Sequence, residues 1–316
     1  MRESLASEGL IDTATCRDGT GGLSRTASPA TASQERPLAP FGRRLLTVTG
    51  NERLGAYRVL RVADPEELGG ERVPNPGQFA MLATAERWGA GADERPYLPR
   101  AFSYARFARG EAHFLLEDVG PGTRRLCDLG DGESLWLLGP LGQGFGAPED
   151  GRRALLVGGG VGIAPLAIWW DRLDAAGEAS TVLLGFRDSA HAEGAALFND
   201  LSRGRARGRL ALASDDGSVG HHGFVTSLLR AELDRDAHAV VYACGPPLML
   251  EAVRALCAAR RVTAQLALEA GMACGFGACF GCVVPTREGY MRVCVDGPVV
   301  EADRLGVVAE HGGAGA

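Results

Sequence analysis

The sequence predicts a multidomain β plus α/β chain: an antiparallel β-barrel, a doubly wound parallel α/β domain, and a small cysteine-rich C-terminal domain. Three observations carry this. Between residues 41 and 150, short runs rich in Val, Leu, Phe and Tyr are separated by Gly, Pro and Asp. From about Arg152, short apolar strands alternate with helical stretches. After Thr263 the chain turns glycine-rich and holds four cysteines within 21 residues.

Composition bounds the function. The 316 residues have room for two or three domains, and with 46% hydrophobic and 23% charged residues they can build ordinary cores. A net charge of -6 argues against gripping nucleic acid, which needs a clustered positive surface. No lysine occurs, so a lysine Schiff base and a P-loop lysine are both excluded. The longest uncharged run, Ala154 to Trp170, contains four glycines and Pro165, and it is shorter than the ~20 apolar residues a membrane span needs. Glu3, Glu8, Asp12 and Asp18 near the start, with no apolar core around them, fit neither a secretory signal nor a transit peptide, so a cytoplasmic protein is expected.

Each part follows from its residues. Residues 1–40 lack aromatics, and Ser, Thr, Ala, Gly and Pro supply 23 of the 40, so a disordered tail is expected there. The barrel, 41–150, is expected to place strands at Leu45–Thr49, Tyr57–Val62, Gln78–Thr84, Ala112–Asp118 and Ser134–Leu138. The α/β domain, 151–262, has strands at Ala154–Gly158, Thr181–Gly185, Leu210–Ala213 and Ala239–Ala243, with an apolar helix through Trp169 and Trp170. The cysteine domain covers 263–306, and 307–316 reads as a frayed end.

The most specific motif is Cys274-Gly-Phe-Gly-Ala-Cys279-Phe-Gly-Cys282, followed by Cys294. A C-x4-C-x2-C…C spacing is one that holds a [2Fe-2S] cluster, and glycines between the ligands let the backbone wrap closely and aim N–H groups at sulfur. A structural zinc site is the competing reading, but zinc modules more often use two C-x2-C pairs. Cys127 and Cys257 sit in apolar surroundings and read as small hydrophobes, and Cys16 lies in the tail.

Two further motifs lie where a strand ends and a helix begins. Gly158-Gly159-Gly160-Val-Gly162-Ile163-Ala164-Pro165 is a turn that can bring backbone amides and a helix N-terminus to a pyrophosphate, although Pro165 stands where G-x-G-x-x-G has its third glycine. Cys244-Gly245-Pro246 ends a second strand, and ligands of such sheets bind beyond the carboxyl ends of strands. In the barrel region, Arg100-Ala101-Phe102-Ser103 offers a guanidinium fork for a diphosphate and a hydroxyl for a ring nitrogen, and Gly120-Pro-Gly122-Thr123-Arg124 offers a turn rich in N–H groups.

In order, these motifs resemble the ferredoxin-reductase superfamily and, within it, the electron-transfer subunits of NAD-linked, two-subunit dihydroorotate dehydrogenases; Ser214-Asp-Asp-Gly217-Ser-Val-Gly220 and the following His-His-Gly223 resemble the same subunits. The resemblance covers about Arg44 to Ala302. It implies a flavin-binding barrel in which Arg100, Ala101, Phe102, Ser103, Leu115, Leu116, Glu117, Gly122 and Thr123 contact FAD. It implies a nicotinamide domain that lays NAD on Gly159, Gly160, Gly162, Ile163, Ala164 and Pro165, with Cys244, Gly245 and Pro246 near the nicotinamide. It implies a [2Fe-2S] cluster on Cys274, Cys279, Cys282 and Cys294, and a catalytic FMN-containing dihydroorotate dehydrogenase subunit as partner in a heterotetramer. The chain would then relay electrons and would not itself oxidise dihydroorotate, since no ~250-residue (β/α)8 barrel fits beside its own domains. Ala101 replaces the family's usual proline, Arg124 stands where lysine is common, and residues 1–40 have no counterpart.

Two alternatives compete with this expectation. One is the reductase subunit of another complex of the same layout, such as a ferredoxin:NADP+ oxidoreductase or a sulfide dehydrogenase, for which Arg187 or the run Arg203 to Arg209 could receive a 2′-phosphate. The other is a non-redox module that holds zinc. His221 and His222 read as surface residues, and His113, His191 and His238 suggest nothing specific.

Overall fold

The computed structural model describes residues 43–64, 73–86, 98–148, 151–178, 180–198 and 208–306. The expected tails at 1–40 and 307–316, and 203–207 of the arginine run, lie outside the described residues.

Six strands close into an antiparallel barrel: β1 (Arg44–Leu54), β2 (Tyr57–Ala63), β3 (Phe79–Thr84), β4 (Arg100–Ala108), β5 (Glu111–Glu117) and β6 (Ser134–Leu141), in the order β1-β2-β5-β4-β3-β6. Alternating residues fill its interior: Val48, Leu60, Leu82, Phe114 and Leu137 are all buried there. β3 is buried along its whole length. Ala80 and Leu82 point into the barrel, while Phe79 and Met81 face outward and pack against Cys282, Val293 and Cys294. The cysteine-rich segment is therefore a lid on one barrel strand, and the period of two in β3 is what couples them.

Gly120–Arg124, expected as a turn, is the start of a short helix, α1 (Pro121–Cys127). Its first position is proline, which fits there because that N–H has no helical partner. The amides of Val119 and Gly120 donate to the Thr123 hydroxyl at 2.9 and 3.0 Å, which closes the entry to the helix.

The second sheet has seven strands in the order β10-β9-β8-β7-β11-β12-β15. These are β7 (Arg153–Gly159), β8 (Ser180–Phe186), β9 (Gly208–Ser214), β10 (His221–His222), β11 (Ala239–Cys244), β12 (Thr263–Ala267) and β15 (Val299–Glu301). All pairs are parallel except β12 with β15. Helix α2 (Ala164–Ala176) covers one face through Leu166, Trp169 and Trp170. Helices α4 (Val225–Arg235) and α5 (Pro247–Arg260) cover the other through Leu229, Leu233, Leu250 and Val253. Burying each of these large side chains contributes about 1.5–3 kcal/mol. The single turn α3 (Ser189–Ala192) follows β8.

One expected boundary moves. The sequence pattern groups residues 263–267 with the cysteine domain, but β12 pairs in parallel with β11, from Val240–Thr263 through Cys244–Ala267. The strand was hard to read because no helix follows it. Instead the chain runs through the cysteine segment, with its hairpin β13 (Val283–Thr286) and β14 (Gly289–Arg292) and the turn α6 (Val293–Asp296), and returns to the sheet edge as β15. Among the described residues no helix is long and apolar enough to cross a membrane.

Candidate functional site

Three groups of residues make up the site. The first is the cysteine segment. Cys282 and Cys294 are buried with their sulfurs 3.2 Å apart, Cys274 is half-buried and Cys279 exposed. The loop gives its amides to sulfur: Cys279 N–H to Cys274 at 3.5 Å, Gly281 N–H to Cys279 at 3.4 Å, and Cys294 N–H to Cys282 at 3.4 Å. Burial pushes the Cys274 thiol up, but the N–H groups of Cys279, Phe276 and Ala278 outweigh it and bring it down to about 7. Burial, reinforced by Cys282, pushes Cys294 up to about 12. Among the described residues no three ligating side chains converge on one point; the sulfurs stand as the pairs Cys274–Cys279 and Cys282–Cys294. Even so, the donor set fits an iron-sulfur group: four thiols, each receiving a backbone N–H group, on a loop whose Gly275 and Gly277 take φ of 80° and 87°.

The second is a cleft of about 240 Å³ where all three parts of the chain meet. The barrel supplies Phe79, Ala101, Phe102, Ser103 and Leu115; the α/β domain supplies Gly162, Ala164 and Cys244; the C-terminal segment supplies Glu269 and Met272. Cys244 is almost fully buried, and burial followed by the charge of Glu269 raises its thiol, so it stays protonated. Glu269 is open along the cleft, yet the protein packed around it raises its carboxyl above the usual range. Arg100 lies beside this cleft, with its guanidinium stacked on Gly122, where a Cβ would stand 2.7 Å from Nε. Leu116 is fully buried in the barrel interior and does not line the cleft.

The third is a larger pocket of about 500 Å³ beyond the carboxyl ends of β7, β8, β9 and β11. Gly159 and Gly160 form its floor, and Gly160, with φ of 56°, has open space where a side chain would be. Gly162 is different, since its Cβ would sit 2.6 Å from the Gly245 nitrogen and 2.7 Å from the Cys244 carbonyl. Pro165 opens helix α2 directly behind this loop, with Ile163 and Ala164 buried, so proline replaces the third glycine by starting the helix. Pro246 lines the pocket, and so do two exposed apolar side chains, Phe224 and Leu248. The Tyr57 hydroxyl, buried in the same wall, has no hydrogen-bond partner.

Comparison with known proteins follows this geometry. The iron-sulfur cluster binding domain of dihydroorotate dehydrogenase B matches residues 269–306, and the oxidoreductase NAD-binding domain matches residues 156–255. The dihydroorotate dehydrogenase B (NAD(+)) electron transfer subunit of Caldanaerobacter subterraneus subsp. tengcongensis is 35% identical over 239 residues, covering 73% of this chain and 87% of that one. Its counterpart in Bacillus caldolyticus is 38% identical over 271 residues, covering 84% and 99%. The chain belongs to the dihydroorotate dehydrogenase B electron transfer subunit family. Among solved structures, an NADH-dependent reduced ferredoxin-NADP oxidoreductase superposes with a TM-score of 0.70 at 25% identity, over 84% of this chain and 91% of that one. The flavohem-like FAD/NAD binding domain of a Vibrio cholerae nitric oxide dioxygenase shares the fold, with a TM-score of 0.56 at 21% identity.

The geometry also brings forward residues that sequence reasoning passed over. Glu269 and Met272 were not singled out, nor was His191, whose ring lies edge-on to Tyr57 at 5.5 Å and whose Nδ1 is 2.7 Å from Asp188. His191 Nε2 also lies 3.3 Å from Glu117, so this histidine joins the α/β domain to the barrel. Its one local signal was Asp188 three residues earlier, the N-cap of α3. His221 and His222 are exposed, as expected, and do not line the pocket.

Proposed function

We propose that the chain is the electron-transfer half of a two-subunit, cytoplasmic dihydroorotate dehydrogenase, passing electrons from the FMN of a catalytic partner to NAD+ by way of a [2Fe-2S] cluster and FAD. The observation that carries this is the 240 Å³ cleft, walled jointly by Ser103 of the barrel, Cys244 beside the dinucleotide loop and Glu269 ahead of the cysteine loop. A ring bound there touches the dinucleotide side and the cluster side at once. When bound, the flavin exchanges a hydride with the nicotinamide and single electrons with the cluster.

The chain's own residues supply the rest. Cys274, Cys279, Cys282 and Cys294 hold the cluster, and Phe79 and Met81 pack against Cys282 and Cys294 while Phe79 also lines the cleft, which keeps the two centres close. Arg100 and the residues Gly122 and Thr123 at the start of α1 hold the flavin's diphosphate, while Ala101, Phe102, Ser103 and Leu115 form the slot for its ring. Gly159 and Gly160 receive the pyrophosphate of NAD, and Gly162 lets this loop pack on Gly245 so that the nicotinamide end faces Cys244. Phe224 and Leu248 provide apolar surface for the adenine. The protonated Cys244 thiol presents no negative charge to either ring. Pro165 and the buried Ile163 hold the glycine loop from behind.

Anaerobic titration of the purified chain with NADH, followed by visible absorbance on a sample assayed for flavin, iron and sulfide, tests the reading. Flavin and cluster bands that both bleach support it; a colourless, zinc-containing sample, or bands that NADH leaves unchanged, defeats it.

A further inference from the structure

Resting on the reading of the cysteine segment as an iron-sulfur site, we propose that Arg292, the last residue of β14, is a positioning residue that raises the cluster's reduction potential by clamping Gly277. Four contacts define its place. Nη1 donates to the Gly277 carbonyl at 3.2 Å. The guanidinium carbon lies over the Phe280 ring, 5.5 Å from its centre. The backbone N–H donates to Asp296 Oδ2 at 2.9 Å, and Nε is 3.8 Å from the same oxygen. Arg292 thus carries a side-chain hydrogen bond from the arm that holds Cys294 into the backbone of the loop that holds Cys274 and Cys279.

Gly277 is where the two arms cross. Its N–H donates to the Cys294 sulfur, while its carbonyl accepts from Arg292. Val295 closes the other side, since a Cβ on Gly277 would stand 2.7 Å from Val295 Cγ2. Holding the carbonyl therefore holds the N–H on its sulfur. Phe280 shows why the residue is an arginine. Its backbone is left-handed, with φ of 58°, which is rare for a residue with a side chain, and its ring is exposed. A flat guanidinium covers that ring and still reaches the carbonyl, which the single ammonium of a lysine does not do. Both consequences have the same sign. An N–H on sulfur and a nearby cation each favour the state that carries the extra electron. Asp296 offsets part of the charge, so the Gly277 contact is the larger part.

The test is a potentiometric titration of the flavin- and cluster-loaded chain, read by the electron paramagnetic resonance signal of the reduced cluster. Arg292→Gln removes both charge and fork, and is expected to shift the reduced-to-oxidised ratio about tenfold toward the oxidised form, a fall of about 59 mV for one electron. Arg292→Lys keeps the charge and loses the fork, and should shift the ratio about fivefold in the same direction. Arg287→Gln removes a charge from the exposed turn of the same hairpin and should stay within about twofold. Iron release to a chelator, followed beside flavin content, covers a variant that holds its cluster poorly. Arg292→Gln that keeps its flavin and loses iron about tenfold faster supports the clamp, and if it loses flavin as well, Arg292→Lys decides. If Arg292→Gln leaves the potential unchanged, if Arg287→Gln shifts it equally, or if Arg292→Lys matches the unaltered protein, the clamp is overturned while the relay stands. An unaltered chain that carries no iron and sulfide defeats the underlying reading instead.

Discussion

The two glycine-rich loops of this chain use the same residue for different physical ends. In the dinucleotide loop, Gly162 is required because backbone meets backbone: a side chain there would collide with Cys244 and Gly245. In the cysteine loop, Gly275 and Gly277 are required for their left-handed backbone, which turns successive amides toward sulfur. One loop is closed by its neighbour so that its outer face can receive a phosphate, and the other is curled on itself so that its inner face can receive metal. Glycine content alone would not separate them. The separation lies in what surrounds the glycines, apolar strand and helix in one case and cysteine in the other.

Substitution at one glycine of each loop should produce opposite losses. The larger effect is expected from Gly162→Ala, whose new methyl would press on the Cys244–Gly245 peptide and cannot be accommodated by rotating a side chain. NADH-driven reduction of the flavin should fall by about a hundredfold, as read by stopped-flow absorbance, with iron content unchanged. Gly275→Ala should do the reverse. Its Cβ would meet the buried Met81 side chain at 2.5 Å in a left-handed backbone, a combined cost of about 2–3 kcal/mol. Iron and sulfide should drop below about half occupancy while the initial rate of flavin reduction by NADH stays within about threefold. If both variants lose the same property, the two loops are not independent sites.

The smallest effect lies between them, on the helix that joins barrel and sheet. Asp171 of α2 stands 3.7 Å from Arg106 of β4, and burial raises its carboxyl to about 6. A raised carboxyl favours the folded state when protonated, so this contribution is full below the unfolded value near 4 and is lost as pH rises through about 6. Because the side chain is about one-third exposed, roughly 1 kcal/mol is at stake after screening. Asp171→Asn should therefore flatten the change in melting temperature between about pH 4 and 6 by a few degrees, with neither loop affected.

Much of this organisation was legible in the sequence. The barrel and sheet strands were visible because apolar runs between Gly, Pro and Asp mark them locally, and the cysteine spacing carried the family and the redox function. What stayed hidden depended on contacts distant in sequence. Strand β12 has no helix after it to announce a crossover, and its partner β15 comes only after the whole cysteine segment. Glu269 gains its meaning from facing Ser103 and Cys244 across a cleft, and His191 from reaching Glu117 on another sheet. A pattern read along one strand or one loop does not contain such pairings. The expected turn at Gly120–Arg124 is instead the start of a helix, because Pro121 and the Thr123 hydroxyl together begin one.

Strands β12 and β15 are neighbours in one sheet, paired antiparallel from Gln265–Glu301 to Ala267–Val299, and the whole cysteine segment is the excursion between them. Everything from Leu268 to Pro298 is thus a long loop pinned at its base, and closing it costs little more than closing a short one. Such a loop can open as a unit of its own without unzipping the sheet beneath it. Oxidative damage to the cluster would then be a local event: amide hydrogens across 269–297 would exchange quickly while those of β12 and β11 stay protected, and the chain could be recharged with iron without refolding.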